Sequence, residues 1–275
     1  MDFLQAIFLG IIQGLTEFLP VSSSGHLVIF QNLLGVQGDS LVFDVAVHLG
    51  TLASVLTVYF KFIQASLVKA SKSFTQKKLN NEAKLVLLVI AATLPTAVIG
   101  LVLKDTFESL FSNLAGVGFC LMITGTLLLL TKGKGKASQN QNFFNFIVDD
   151  LTQFTYLKAV LIGLAQSIAI APGISRSGTT IAVGILLGLP RHLAAMFSFM
   201  LAIPAILGAG ILQLKHASHL SSQDLSIMGI GFVAAYFSGL LGLYGVLHIV
   251  KRGRLEFFTV YLWVLGAVSM YFALK

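Results

Sequence analysis

Five ionisable side chains fall inside the apolar segments of this chain: Glu17, His26, Asp44, His48 and Arg176. A charge in an apolar setting is costly, so such residues are functional suspects by default. Glu17, His26 and Arg176 flank two short polar breaks. The first follows Pro20 and reads Ser22-Ser23-Ser24-Gly25-His26. The second follows Pro172-Gly173-Ile174 and reads Ser175-Arg176-Ser177-Gly178-Thr179-Thr180. Proline lacks an N–H and restricts the residue before it, so each break ends one half-helix. Serines are natural caps for the half-helix that follows, which in the first break is expected to begin near Gly25.

These residue types point to an anion. Helix starts present free N–H groups and a positive dipole end. Arginine is the side chain best suited to bidentate phosphate recognition. A serine hydroxyl held at the first break could attack phosphorus, and His26 could move its proton. Glu17 lies four residues after Gln13, so both share one helix face and reach into the break together. Glu17 then serves as general acid or base, or ligates a hard divalent cation. The blander alternative is a structural pair of Glu17 with Arg176, because buried charges need partners. Asp44 and His48, also four apart, are either a polar pair or secondary substrate contacts. His192, His216, His219 and His248 fall near segment edges or in loops, where packing and solvent account for them.

The elements that must position these residues follow from composition. Of 275 residues, 56% are hydrophobic and 11% charged. Soluble domains carry about 25% charged residues, so the expected class is an all-α polytopic membrane protein. A porin-type barrel is excluded because the apolar residues run in blocks and do not alternate. Six blocks are long enough to span a hydrocarbon core of ~30 Å: 42–60, 85–103, 114–131, 193–213, 226–250 and 255–274. Shorter pieces at 3–19, 24–35, 157–171 and 178–189 form two pairs, each interrupted by one of the polar breaks. That pattern predicts two re-entrant helix–break–helix hairpins.

Loop charges set the orientation. Loop 61–84 holds Lys61, Lys69, Lys72, Lys77, Lys78 and Lys84 against Glu82. Lys132, Lys134 and Lys136 follow the third span, and Lys251, Arg252 and Arg254 precede the last. Loops 104–113 and 214–225 are balanced or acidic. Basic loops face the cytoplasm, which leaves both chain ends outside. The same rule accounts for the net charge of +7 without nucleic-acid binding. The chain also repeats itself at a shift of 153 residues. Gly10 falls on Gly163, Gln13 on Gln166, Ser22 on Ser175, Ser24 on Ser177 and Gly25 on Gly178. Residues 1–131 and 157–275 then each hold one hairpin and three spans, joined by a cytoplasmic connector at 132–156. An odd number of crossings inverts the second copy, so the two breaks meet near the midplane.

Other chemistries find no support. Cys120 is the only cysteine, which excludes an intramolecular disulfide and a cysteine-rich metal site. There is no P-loop, nucleotide-binding glycine fingerprint or zinc-type histidine spacing. Asp2 and the absence of a basic n-region argue against a cleaved signal peptide. A phosphate site within a membrane calls for a lipid with a phosphate or diphosphate head.

The two breaks resemble a known family. Gln13-Gly-Leu-Thr-Glu17-Phe-Leu-Pro-Val-Ser-Ser-Ser-Gly-His26 and Pro172-Gly-Ile-Ser-Arg-Ser-Gly-Thr-Thr180 are similar to the two signatures of the bacterial undecaprenyl-diphosphate phosphatases, the bacitracin-resistance type. The resemblance spans the chain. It implies an enzyme of the bacterial inner membrane that removes the terminal phosphate of undecaprenyl diphosphate and recycles the carrier for peptidoglycan synthesis. It implies that bacitracin competes for the same substrate, that Mg²⁺ or Ca²⁺ supports activity, with Glu17 as a ligand, and that a homodimer is compatible with the family. By position, Glu17 matches the essential carboxylate, Ser23 the serine nucleophile and His26 the motif histidine. Ser175, Arg176, Ser177 and Thr180 match the phosphate-binding loop, and Ser22 and Ser24, on either side of the nucleophile, are expected to bind the substrate phosphate with them. Serine and histidine remain alternative nucleophiles. Where the family has Glu or Gln, this chain has Gln13, whose amide is neither a base nor a strong metal ligand. The rival reading is a transporter or flippase of polyprenyl phosphate, since inverted repeats with broken helices are also transporter architecture.

Overall fold

A computed structural model describes residues 1–36, 41–135, 151–213 and 221–274. Among these residues the protein is all-helical, with eleven α-helices and one short 3-10 turn at Leu151–Gln153. Two pairs of short helices stand where the hairpins are expected. Helix α1, Phe3–Phe18, ends at Leu19-Pro20, and α2, Ser23–Leu33, follows. Helix α7, Tyr156–Ile168, ends before Pro172, and α8, Arg176–Leu186, follows. The 153-residue shift maps both ends of α2 onto those of α8.

Long helices surround them. Helices α3 (Leu41–Thr75), α4 (Asn81–Val102), α9 (Arg191–Gln213) and α10 (Ser222–Arg252) are long and apolar enough to cross a membrane. Helix α5, Lys104–Leu110, lies at 99° to α6, Leu114–Leu129, and the pair together passes the same test. Helices α6 and α11 (Phe257–Ala273) have 16 and 17 residues and pack on each other. The exposed side chains Leu94, Val98, Phe119, Phe237, Leu241, Val260 and Val264 are apolar and each more than half accessible. A chain that leaves such residues outside and turns Glu17 and Arg176 inward onto each other is a multi-pass membrane protein.

Two expected loops are largely helix. The stretch 61–84 is helical to Thr75 and again from Asn81, so α3 runs for 35 residues. At ~1.5 Å per residue that is longer than a hydrocarbon core, so its basic end projects beyond the apolar layer. Lysine is a good helix former, and Lys69 reaches Glu82 at 2.9 Å. The stretch 104–113 contains α5, which Lys104 and Glu108 support one turn apart. Likewise α2 begins at Ser23, two residues before Gly25. Most of the connector, residues 136–150, lies outside the described residues, as does 214–220.

The halves exchange helices. Helix α1 packs along α10, and its repeat partner α7 packs along α4. Gly10 sits against the backbone of Gly231, where a Cβ would meet the carbonyl at 2.5 Å. Gly163 sits in the same way against the carbonyl of Ala92. The repeated glycine is therefore a point of close approach in both crossings. Phe18, Tyr59, Leu88, Leu121, Phe197 and Phe199 belong to the largest core cluster among the described residues.

Candidate active site

The two breaks abut. A Cβ on Gly25 would meet Gly173 at 3.0 Å, and one on Gly178 would meet Pro20 at 3.2 Å. Ser177 Oγ donates to the Leu19 carbonyl at 3.0 Å, tying the second break to the first. Each half-helix is capped alike: Gly25 N–H donates to Ser22 Oγ at 3.2 Å and Gly178 N–H to Ser175 Oγ at 3.0 Å. By helix geometry, the remaining first-turn N–H groups of α2 and α8 face the break.

One carboxylate organises the site. Arg176 donates through Nη2 to Glu17 Oε1 at 2.5 Å. Its Nη1 donates to the Ser198 carbonyl on α9 at 3.1 Å. Ser23 Oγ donates to Glu17 Oε2 at 2.5 Å, and Gln13 Nε2 donates to the same oxygen at 2.9 Å. His48 Nε2 stands 3.5 Å from it. The His48 ring is set by Nδ1, which donates to the Asp44 carbonyl at 2.6 Å. Glu17 is 6% exposed, so these groups form a desolvated cluster.

Above the cluster a cavity of about 500 Å³ opens. Its floor carries Glu17, Ser22, Ser23, Ser24, Ser175 and Arg176, with Asp44, His48 and Gln166 beside them. Its walls are apolar and come from α4, α5 and α9, including Leu101, Phe111, Ile206 and Leu212. Lys104, Glu108 and Gln213 stand at the far end, where Gln213 reaches Glu108 at 3.4 Å.

The structure thus brings Gln13, Glu17, Ser23, His48 and Arg176 together. Thr180 and Ser177 do not face the cavity: Thr180 Oγ1 bonds to the Arg176 carbonyl and Ser198 Oγ, at 2.8 and 2.7 Å. The cavity lining does not include His26 either. Its Nδ1 meets the Ser22 carbonyl at 2.7 Å and its Nε2 meets Tyr261 Oη at 2.6 Å. The Asp44 carboxylate accepts from Gln31 at 2.6 Å and is not paired with the His48 ring through a hydrogen bond. Gln166 donates to Thr96 at 3.0 Å. Sequence reading missed Ser198, Tyr261, Gln31 and Thr124, whose hydroxyl takes the Ser175 N–H at 3.1 Å. The available signal was a lone polar residue inside an apolar block.

The metal expectation can be weighed on the donor set. Among the described residues no group of three His, Cys, Asp or Glu side chains could hold an ion. Mg²⁺ often binds through one carboxylate together with substrate phosphates and water. Glu17 suits that mode and no all-protein cage.

A carboxylate–serine–arginine cluster set between two helix starts under an apolar cavity, in a multi-pass membrane protein, has the chemistry to suit an anionic headgroup on an apolar chain. The comparisons sharpen this. Residues 6–268 match the family model of the bacitracin resistance protein BacA, and the chain belongs to that family. A protein named undecaprenyl-diphosphatase from Desulforapulum autotrophicum is 42% identical, with 98% of each chain covered. One of the same name from Carboxydothermus hydrogenoformans is 42% identical over 98% of this chain and 97% of its own. Another from Halothermothrix orenii is 39% identical over 99% of both.

Proposed function

We propose that this chain hydrolyses undecaprenyl diphosphate to the monophosphate and inorganic phosphate, and so returns the lipid carrier to peptidoglycan synthesis. The observation that carries the reading is the Ser23–Glu17–Arg176 cluster on the floor of an apolar-walled cavity. The polar floor suits a diphosphate and the walls suit the first prenyl units. Arg176 and the starts of α2 and α8 hold the terminal phosphate. The Ser23 hydroxyl gives its proton to Glu17 and its oxygen bonds to phosphorus. The bond to the bridging oxygen breaks, and the lipid monophosphate leaves. Glu17 passes that proton to the departing monophosphate; water then attacks the phosphoserine and loses a proton to Glu17, which returns it to Ser23 Oγ as inorganic phosphate leaves. Ser23 is preferred to His26 as nucleophile because both His26 nitrogens are engaged away from the cavity.

Glu17 would hold a divalent cation, Mg²⁺ or Ca²⁺, which would supply charge neutralisation for the diphosphate. Six crossings and two inverted re-entrant hairpins fit the helix order, with α6 and α11 as the two shortest spans. From the Glu17 floor the cavity lining extends to α5 and the last turns of α4 and α9. The opposite face carries the basic residues, where Arg191 bonds to the Lys134 carbonyl. By the positive-inside rule that end of the cavity faces the outer side of the inner membrane. Bacitracin, by sequestering the same diphosphate, would compete with this site. A polyprenyl-phosphate flippase is not favoured, since transport needs no serine hydrogen-bonded to a carboxylate. The test is phosphate release from undecaprenyl diphosphate by the purified protein in detergent, with and without a chelator. Release that depends on divalent cation is expected; no release with any cation would overturn the reading.

A further inference from the structure

Ser22 adopts φ +67° and ψ 91°, a left-handed conformation that a non-glycine residue takes only when its surroundings enforce it. Two donors of His26 converge on the Ser22 carbonyl: the backbone N–H at 3.1 Å and ring Nδ1 at 2.7 Å. A carbonyl only accepts, so Nδ1 carries the hydrogen. In the neutral ring Nε2 then keeps its lone pair and accepts the Tyr261 hydroxyl at 2.6 Å. The two rings also stack, with centroids 5.8 Å apart and planes 17° from parallel. Tyr261 comes from α11, 235 residues away in the chain, and is half-exposed at the apolar surface. Ser23, the residue after the left-handed turn, points its hydroxyl at Glu17.

We propose that Tyr261 is a positioning residue for the hydrolytic site. Its hydroxyl fixes the tautomer and angle of His26, and His26 holds the Ser22 carbonyl. The left-handed turn so enforced aims Ser23 at Glu17. This rests on the reading of Ser23 as nucleophile and gives α11 a part in the site that no cavity-lining residue reveals. Neither Tyr261 nor His26 belongs to the cavity lining, so loss of the link changes the attack and leaves substrate capture intact.

The test is Tyr261→Phe, which keeps the ring and removes the hydroxyl. Phosphate release by the full-length protein should show kcat lower by about tenfold, the worth of one oriented hydrogen bond. KM for undecaprenyl diphosphate and the melting temperature should stay at wild-type values. His26→Asn keeps a donor near the Nδ1 position but cannot reach Tyr261. In that background Tyr261→Phe should cost nothing further, because the second residue acts only through the first. Wild-type kcat in Tyr261→Phe would overturn the proposal. So would an additive loss in the double variant, or a lower melting temperature accompanying the loss, which would make Tyr261 a packing residue. If the wild-type protein releases no phosphate, the hydrolase reading itself fails, and this inference falls with it.

Discussion

Arg176 and Glu17 are 159 residues apart in sequence and 2.5 Å apart in space. One lies on α1 and the other on α8, so the site exists only where distant parts of the chain meet. Glu17 is buried and Arg176 is partly buried, with a second tie to the Ser198 carbonyl. That geometry allows two roles, phosphate clamp and structural ion pair, and the first two predictions separate them.

Arg176→Lys keeps the charge but loses the planar fork. A lysine can still pair with Glu17, so the protein should fold and melt near the wild-type temperature. Phosphate release should drop by ~10²–10³-fold, the usual effect of losing one donor to a transition-state anion. Near-normal release would demote Arg176 to charge balance.

Glu17→Gln should abolish turnover and also lower the melting temperature, because Arg176 is left buried without its counter-charge. Breaking a buried pair from one side costs ~3–5 kcal/mol. Glu17→Gln with Arg176→Met should recover the melting temperature and remain inactive. A single variant as stable as wild type would show that the pair is not buried as described.

Ser22→Gly and Ser22→Ala both lose the cap to Gly25 N–H. Only glycine tolerates φ above zero without strain. Ser22→Gly should therefore be the more stable variant by ~1 kcal/mol, read from denaturation in detergent. The reverse order would rule out the left-handed turn.

The crossings of the halves predict a matched pair of defects. Gly10→Ala and Gly163→Ala each push a methyl into backbone of the partner helix. Each should cost ~1–3 kcal/mol. Gly229→Ala, with nothing within 4 Å of its Cβ, is the control and should be neutral or slightly stabilising. Equal effects at all three sites would contradict the packing of α1 on α10 and α7 on α4.

Orientation can be read by labelling. On a Cys120→Ser background, a cysteine replacing Gln76 should react only from the cytoplasm, and one replacing Ser109 on α5 only from outside. Outside labelling at position 76 would reverse the orientation and close the cavity to the outer face.

Much of this protein was legible without coordinates, because a bilayer punishes error. Apolar blocks of fixed length, prolines before serine-rich breaks and the 153-residue repeat are one-dimensional signals. They located all four half-helices to within a few residues. The boundaries that shifted were those of polar helices: the lysines of 61–75 read as a loop, yet helix propensity continues past the apolar layer.

What the sequence could not rank was the use of each polar side chain. Ser22, Ser23 and Ser24 are identical in type, and only the turn at Ser22 decides that Ser22 caps the helix while Ser23 meets Glu17. His26 sits in the motif beside them but turns to Tyr261 on α11, whereas His48, a residue of secondary weight by sequence, stands at the carboxylate. Sequence alone determined the class, the two pairs of short helices and the family resemblance, because hydropathy, breakers and motifs are local. Tertiary structure alone decided the partners of Glu17, since a hydrogen bond depends on distances between segments that lie far apart along the chain.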